Sequence, residues 1–153
     1  MNEQKVTIAE FKKILLKEIM VTKPFTIGID ESFSRVYDIF KLHRIRHLPV
    51  LDEARLLQGI ITQRDLYKLI SPRKTMDGNF VYDKAELDRF ILQHVMTKEV
   101  STLRPSDTVG QVIDLMTRKK YGCIPIVDQN RYLRGIITQI DVLRVLAGTF
   151  PKK

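Results

Sequence analysis

The sequence contains little of what redox, metal or membrane chemistry requires. Its 153 residues include one cysteine, Cys123, which excludes an internal disulfide and a cysteine-based zinc site. Its three histidines, His43, His47 and His94, are not expected to bind a metal. No apolar run approaches the roughly 18 residues that a membrane-spanning helix needs. The first residues lack the apolar core of a signal peptide, and the expected compartment is the cytoplasm.

Acidic residues are fewer than basic ones, 18 against 26, which gives a net charge of +8. Such a balance is compatible with nucleic-acid binding. However, the basic residues are spread along the chain, with short clusters only at 41–47, 73–74 and 118–120. No stacking aromatics are interleaved with them, and no recognition-helix motif is present. The pattern favours solvated side chains, and the clusters are candidates for binding a small anion.

The sequence does contain one seven-residue stretch twice. Gly59–Asp65 reads GIITQRD and Gly135–Asp141 reads GIITQID, at an offset of 135 − 59 = 76 residues. Without gaps, residues 7–70 align on residues 83–146, and identical pairs include Met20/Met96, Asp38/Asp114, Pro49/Pro125, Asp52/Asp128 and Arg55/Arg131. A gapless match of this length indicates a duplicated unit. We therefore predict repeat 1 at 7–71, a connector at 72–82 and repeat 2 at 83–148, each repeat with its own leading helix.

Within each repeat the pattern predicts helix, strand, helix, two paired strands and a closing helix. The expected elements of repeat 1 are a leading helix from Thr7 to Ile19, a strand at 25–29, a helix capped by Ser32, strands at 48–51 and 56–61, and a helix at 65–70. Repeat 2 follows the same order, with a leading helix after Asp83 and a strand at 100–103. Each repeat is too small to bury much surface alone. We expect a mixed α/β (α+β) fold in which the two repeats pack sheet to sheet around a pseudo-twofold axis, with residues 1–6 as a frayed terminus.

The repeated stretch places a threonine and an aspartate where a strand enters a helix. One interpretation is a capping box, in which Thr62 and Asp65, or Thr138 and Asp141, satisfy free backbone N–H groups. The other is a ligand site, because a helix N-terminus beside a hydroxyl and a carboxylate can hold a polar molecule. The motif alone is compatible with both.

These repeats resemble a tandem pair of cystathionine-β-synthase (CBS) domains, also called a Bateman module. The resemblance is carried by the entry pair Met96-Thr97 (reduced to Met20-Val21 in copy one), by the proline-containing strands 48–50 and 124–126, and by both Gly-Ile-Ile-Thr-x-x-Asp corners. It covers the chain from about Leu16 to Ala147 and leaves no catalytic or transport domain.

The resemblance implies a stand-alone module that binds an adenosyl ligand, such as AMP, ADP, ATP or S-adenosylmethionine, between the two repeats. It further implies that Asp65 and Asp141 bind the ribose, that Thr62 and Thr138 approach the phosphates, and that Arg64 adds a charge in copy one where copy two has Ile140. The positions implied near the adenine are Lys23, Phe25, Arg46 and His47 in copy one, and Glu99, Ser101, Gly122 and Cys123 in copy two. Members of this family dimerise through their helices, so a homodimer is expected, with a protein partner that the sequence does not identify.

Three hypotheses follow. The first is a non-catalytic regulatory module that senses an adenosyl ligand. The second is a structural or interaction module in which the Thr–Asp corners only cap helices. The third is a nucleic-acid-binding protein that uses its net charge of +8. An enzyme is not expected, because no nucleophile, metal constellation or glycine-rich catalytic loop accompanies the histidines. Cys123 follows a glycine beside a strand, a position that favours a small core residue over a reactive thiol.

Overall fold

A computed structural model describes residues 7–148. In chain order, its helices are α1 (Ile8–Lys13), α2 (Leu16–Ile19), α3 (Phe33–His43), α4 (Gln63–Leu69), α5 (Lys84–Leu87), α6 (Leu92–Val95), α7 (Val109–Lys119) and α8 (Gln139–Leu146). Its strands are β1 (Ile27–Gly28), β2 (His47–Leu51), β3 (Leu57–Thr62), β4 (Arg73–Lys74), β5 (Phe80–Val81), β6 (Cys123–Val127) and β7 (Leu133–Thr138). The predicted mixed α/β fold is confirmed. The frayed terminus predicted at residues 1–6 lies outside the described residues.

The chain divides into two compact units that do not follow the order of the repeats. One unit is Phe25–Val100, and the other comprises the described residues within Met1–Pro24 and Ser101–Lys153. Each unit therefore combines the core of one repeat with the leading segment of the other. The boundaries 7–71, 72–82 and 83–148 describe the sequence repeats and stay a prediction.

The unit Phe25–Val100 is built on a sheet with the order β1-β2-β3. Strand β1 runs parallel to β2, with Ile27 opposite Val50, and β2 runs antiparallel to β3, from His47 opposite Thr62 to Leu51 opposite Leu57. Helix α3 begins at Ser32, whose hydroxyl oxygen accepts from the Arg35 N–H at 3.3 Å, as predicted. The core comprises Ile27, Phe33, Val36, Tyr37, Phe40, Leu48, Val50, Ile61, Leu66, Leu87, Leu92 and Met96.

The second unit repeats this plan with β6 and β7. These strands pair antiparallel from Cys123 opposite Thr138 to Val127 opposite Leu133, and their register shifts between Ile126 and Val127, as β2 shifts between Val50 and Leu51. Helices α7 and α8 cover the strands together with α1 and α2. The core comprises Phe11, Leu16, Ile19, Val109, Val112, Met116, Ile124, Ile126, Ile137 and Val145.

The glycine of each repeated stretch faces the end of a leading segment. Beside Gly59, the backbones of Ile60 and Thr97 exchange hydrogen bonds of 3.0 and 2.9 Å, and Val21 and Ile136 exchange bonds of 3.0 Å beside Gly135. A Cβ on Gly59 would lie 2.7 Å from the Thr97 carbonyl oxygen, and one on Gly135 would lie 2.6 Å from that of Val21. The glycine therefore permits a backbone approach that any side chain would block.

The prediction of two continuous leading helices is wrong, because each leading segment is broken into two short helices. Helices α1 and α2 are separated by Ile14 and Leu15, whose backbone is extended. The Ile14 carbonyl accepts from the Val109 N–H, and the Leu16 N–H donates to the Asp107 carbonyl. These bonds to residues at or just before the start of α7 replace helical ones. The second leading segment is also broken, between α5 and α6.

Two predicted strands are shorter than expected, and the connector contains an unpredicted hairpin. The strand expected at 25–29 is reduced to β1, and the one expected at 100–103 to a single bridge between Leu103 and Ile126. Within the connector, β4 and β5 pair antiparallel around Gly78, which has a φ of +85°. The Asp77 carboxylate holds this turn by accepting from Thr75 and Asn79. Gly78 and Asn79 lie in this turn, and the residues flanking it pair as strands.

Candidate functional site

In copy one, Thr62 and Asp65 lie at the junction of β3 and α4. The Asp65 Oδ2 atom accepts from the Thr62 N–H at 2.7 Å and from the Thr62 hydroxyl at 2.9 Å. The Asp65 Oδ1 atom lies 3.7 Å from the Lys68 ammonium, and the residue is only 8% exposed. One carboxylate oxygen of Asp65 therefore accepts both capping bonds, while the other accepts neither of them.

In copy two, Thr138 and Asp141 form the same corner between β7 and α8. The Asp141 Oδ2 atom accepts from both the N–H and the hydroxyl of Thr138 at 2.8 Å, and the Asp141 N–H donates to the Thr138 Oγ1 atom at 3.4 Å. The Asp141 Oδ1 atom lies 3.5 Å from Arg144, and Asp141 is 3% exposed. The capping interpretation of the motif is thus confirmed in both copies.

The residues before the proline-containing strands join these corners through backbone bonds. The Gln63 N–H, in the first turn of α4, donates to the Arg46 carbonyl at 2.9 Å, and the Gln139 N–H donates to the Gly122 carbonyl at 3.2 Å. His47 and Thr62 are partners in the sheet, as are Cys123 and Thr138. The structure therefore brings the predicted positions 46, 47, 62 and 65 together, and equally 122, 123, 138 and 141.

The copy-one corner carries an excess of positive charge. Burial lowers the pKa of His47 below its usual value, and the nearby charges of Arg46 and Arg64 lower it further, against the opposing effect of Asp65. His47 is therefore neutral at neutral pH and offers hydrogen bonds rather than a charge. Both arginine side chains are exposed, so the positive charge available to an anion comes from Arg46 and Arg64.

Phe25 lies at the same end of the sheet, just before β1. It is 48% exposed and stacks against His43, the last residue of α3, with ring centroids 3.7 Å apart and an interplanar angle of 18°. The sequence places His43 only in the basic cluster at 41–47, and periodicity gives no signal for this ring contact. Lys23 is exposed and belongs to the segment ending at Pro24, in the other compact unit.

The copy-two corner is less polar. The Ser101 hydroxyl donates to the Tyr121 hydroxyl at 3.4 Å, and the Gln139 amide donates to the Tyr121 carbonyl at 3.2 Å. Cys123 is buried in β6, and burial, aided by the charge of Asp141, raises the pKa of its thiol to about 12. The thiol is therefore an inert core group, in line with the sequence interpretation.

Ile140 occupies the place that Arg64 holds in copy one. Glu99 is exposed and lies in the unit Phe25–Val100.

A surface depression at the other end of β1 and β2 offers a different chemistry. Its lining includes Asp30, Glu31, Asp52 and Glu53. Leu51 lies at this end of β2, whereas His47 lies at the opposite end, beside the Thr–Asp corner. Four carboxylates do not suit a phosphate, so this depression is not a candidate for an anionic ligand. Residues 7–148 hold no group of three metal-ligating side chains and no helix long and apolar enough to cross a membrane.

Solved structures share this fold. A CBS domain pair of protein MJ0100, crystallised in complex with 5′-methylthioadenosine and S-adenosyl-L-methionine, is 28% identical and covers 88% of this chain and 97% of its own, with a TM-score of 0.73. A putative acetoin utilization protein from Vibrio cholerae, 24% identical over 88% of this chain and 91% of its own, has a TM-score of 0.72 and supports the fold alone.

Sequence relatives agree with the structural neighbours. A CBS domain-containing protein of Dictyostelium discoideum is 30% identical over 139 residues, which cover 88% of this chain and 92% of that protein. Other relatives are much longer, since the match covers 36% of protein MJ1225 and 23% of an L-aspartate semialdehyde sulfurtransferase, both of Methanocaldococcus jannaschii. The sequence model of the CBS domain matches twice, at residues 16–72 and 92–148. The chain belongs to the CBS domain family.

Proposed function

We propose that the chain is a non-catalytic regulatory module that binds an adenosyl ligand at its Thr–Asp corners. The observation that carries the proposal is the buried carboxylate of Asp65, of which one oxygen makes both capping bonds while the other faces a lysine at 3.7 Å. A cap needs only one acceptor oxygen. The second oxygen remains for the vicinal hydroxyls of a ribose, with the helix N-terminus beside it for an anionic group.

The relatives support an adenosyl ligand. The CBS pair of MJ0100, 28% identical to this chain, binds 5′-methylthioadenosine and S-adenosyl-L-methionine. Both molecules carry an adenine and a ribose with two free hydroxyls, the groups that a carboxylate at the corner would recognise. We infer the same ligand class here, either an adenine nucleotide or S-adenosylmethionine, with no metal cofactor.

The two corners are proposed to differ in their preference for phosphate. Copy one has the exposed guanidinium groups of Arg46 and Arg64, whereas copy two has Gly122 and Ile140 at the equivalent positions. Charge-assisted hydrogen bonds to phosphate are roughly twice as strong as neutral ones. A phosphorylated ligand should therefore prefer copy one. The affinity of an uncharged or zwitterionic adenosyl ligand should differ less between the two copies.

Thermal melting with AMP, ADP, ATP, S-adenosylmethionine and a short oligonucleotide tests the proposal. A ligand that binds only the folded state raises its stability by about 2.7 kcal/mol at a hundredfold excess over Kd. This corresponds to roughly 5–10 °C for a chain of this size. If no adenosyl ligand shifts the melt at millimolar concentration, the structural role replaces the proposal. A shift with the oligonucleotide alone, abolished by salt, would favour nucleic-acid binding instead.

The variants Asp65→Asn and Asp141→Asn separate binding from capping. An asparagine oxygen can accept the same two bonds from threonine, so the ligand-free melt should change by a few degrees only. Loss of the carboxylate should weaken AMP binding about tenfold or more, since hydrogen bonds to charged groups contribute about 1.5–3 kcal/mol. Asp141→Asn is the matched control and should weaken AMP binding less. A sharp fall in the ligand-free melt with unchanged affinity of the folded protein would mean that Asp65 only caps the helix.

The module is proposed to act as a cytoplasmic homodimer that changes a partner protein's activity when its ligand binds. Because the match covers only 23% of the L-aspartate semialdehyde sulfurtransferase, the enzymatic activity of that relative is not attributed to this chain. The net charge of +8 remains compatible with a nucleic-acid partner, which the oligonucleotide melt tests.

A further inference from the structure

An aromatic pair stands at the copy-one corner. The rings of Phe25 and His43 are stacked with centroids 3.7 Å apart and an angle of 18° between their planes. His43 covers one face of the Phe25 ring, and Phe25 nevertheless remains 48% exposed. An exposed phenylalanine costs free energy in water, and such an aromatic surface suits a second flat group.

The register of the sheet places Phe25 at the same end of the sheet as the ligand-binding corner proposed above. Ile27 lies opposite Val50 in parallel strands, so Phe25, two residues earlier, is level with Leu48, the neighbour of His47. In turn, Leu48 lies opposite Ile61 and His47 opposite Thr62. Phe25, His47 and Thr62 thus stand on three adjacent segments at one end of the sheet.

The corresponding place in copy two has a different chemistry. The offset of 76 residues relates Phe25 to Ser101 and His43 to Lys119. A serine and a lysine cannot form a ring stack, and the Ser101 hydroxyl instead donates to Tyr121 at 3.4 Å. The aromatic pair is therefore a property of copy one and not of the duplicated fold.

We propose that His43 is a positioning residue that holds Phe25 as a stacking surface for the nucleobase of the adenosyl ligand in copy one. The inference rests on the proposed function and adds to it a stacking surface for the base at one of the two corners. The imidazole limits the rotamers of an exposed phenylalanine, so less conformational entropy is lost when a base binds. Base stacking on an aromatic ring tolerates any purine, while Asp65 reads the ribose.

The test compares four proteins by calorimetry with AMP and by proton NMR of the bound adenine. They are the wild type, His43→Ala, His43→Phe and the copy-two control Lys119→Ala. His43→Ala should weaken AMP binding about two- to tenfold, the usual range for one aromatic pair. His43→Phe retains a ring at this place and should restore the affinity. The adenine H2 and H8 signals should move upfield in the wild type and in His43→Phe, and less in His43→Ala. Lys119→Ala should match the wild type.

A direct check of the stacking surface is Phe25→Ala, which should remove the upfield shift and weaken AMP binding about 5- to 150-fold. Because Phe25 and His43 are both exposed, melting without ligand should show that these variants fold. Wild-type affinity and an unchanged NMR shift in His43→Ala overturn the inference but leave the proposed function standing. Equal losses in His43→Ala and Lys119→Ala also overturn it. If the wild type binds no adenosyl ligand, the proposed function itself fails.

Discussion

At the residue scale, positions 59 and 135 require glycine because backbone atoms lie close to Gly59 and Gly135, and not because of a turn. A methyl group at either position would lie closer than 3.0 Å to a carbonyl oxygen, and no rotation of a side chain can relieve that contact. A methionine sulfur lies beside each carbonyl, Met96 Sδ near Gly59 and Met20 Sδ near Gly135. The repeated glycine and the repeated methionine therefore belong to one contact that is made twice.

We predict that Gly59→Ala lowers the free energy of unfolding by about 1–3 kcal/mol, the usual effect of overpacking. The matched control is Gly28→Ala in β1, where a Cβ would meet only the flexible Glu31 side chain at 3.4 Å. This control should change the free energy by less than about 0.5 kcal/mol. Urea denaturation of both variants measures the difference, and equal effects would contradict the proposed contact.

The positions of single site residues were predictable where those residues belong to the repeated motif. Thr62, Asp65, Thr138 and Asp141 lie at their strand–helix corners as the sequence indicated. The stacking of His43 on Phe25 was not predictable, because a contact between the end of a helix and the approach to a strand leaves no periodicity. The neutral state of His47 likewise depends on burial and on Arg46 and Arg64, which only the fold brings together.

At the element scale, the chain adopts left-handed backbone at basic residues in both repeats. Arg44 and Lys120, which differ by 76 positions, end α3 and α7. Arg55 lies in the turn between β2 and β3, and Arg131 lies in the turn between β6 and β7. All four residues have φ between 53° and 67°. Non-glycine residues in this region carry an energetic cost of roughly 1–2 kcal/mol. Both copies adopt the same conformation at these positions, although glycine would remove this energetic cost.

Arg55→Gly should therefore stabilise the protein, by about 0.5–1 kcal/mol once the greater freedom of glycine in the unfolded chain is subtracted. Arg55 is exposed, and its N–H donates to the Asp52 carbonyl at 2.9 Å, a bond that glycine retains. Ala54→Gly in the same turn is the control, and it should be neutral or destabilising because Ala54 has no positive φ. A lower melting temperature for Arg55→Gly would show that the arginine side chain contributes more than the strain.

The elements themselves were predictable to the extent that they are local. The paired strands β2–β3 and β6–β7 and helices α3 and α7 agree with the sequence pattern, because their apolar periodicity and their caps lie within one segment. The prediction of a continuous first leading helix was wrong because the Ile14 carbonyl and the Leu16 N–H bond to Val109 and Asp107, far along the chain. Distant hydrogen bonds of this kind override helical periodicity and are invisible to it.

At the scale of the whole molecule, helix α8 exposes a row of apolar side chains. Ile140, Leu143 and Leu146 follow one another at a spacing of three and are 43%, 58% and 61% exposed. Apolar rows of this kind mark interaction surfaces more often than isolated exposed leucines do. The homodimer expected from the CBS family therefore has a candidate surface within one of the two compact units.

We predict that light scattering at tens of micromolar gives a dimer for the wild type and a monomer for Leu143→Glu, because a buried, unpaired carboxylate opposes association. The control is Leu42→Glu on α3, a leucine exposed outside this row, which should leave the dimer intact. A monomeric wild type, with and without AMP, would refute the homodimer. Dissociation by both substitutions would contradict the assignment to α8.

The composition of the two compact units was the least predictable property. The leading segments resemble each other, down to the methionines at 20 and 96 that reach the two glycines. A pattern shared by both copies cannot indicate which leading segment packs on which core. Only the three-dimensional contacts show that residues before Pro24 join the unit that begins again at Ser101.

This grouping also affects how the protein completes folding while the ribosome makes it. The unit Phe25–Val100 is continuous and is complete once Val100 has emerged. The other unit needs the segment ending at Pro24 and also residues from Ser101 onward, which are synthesised after Val100. At roughly 5–20 residues per second, the early segment waits for several seconds. During that time Leu16 and Ile19, fully buried in the finished protein, are exposed to solvent and to chaperones.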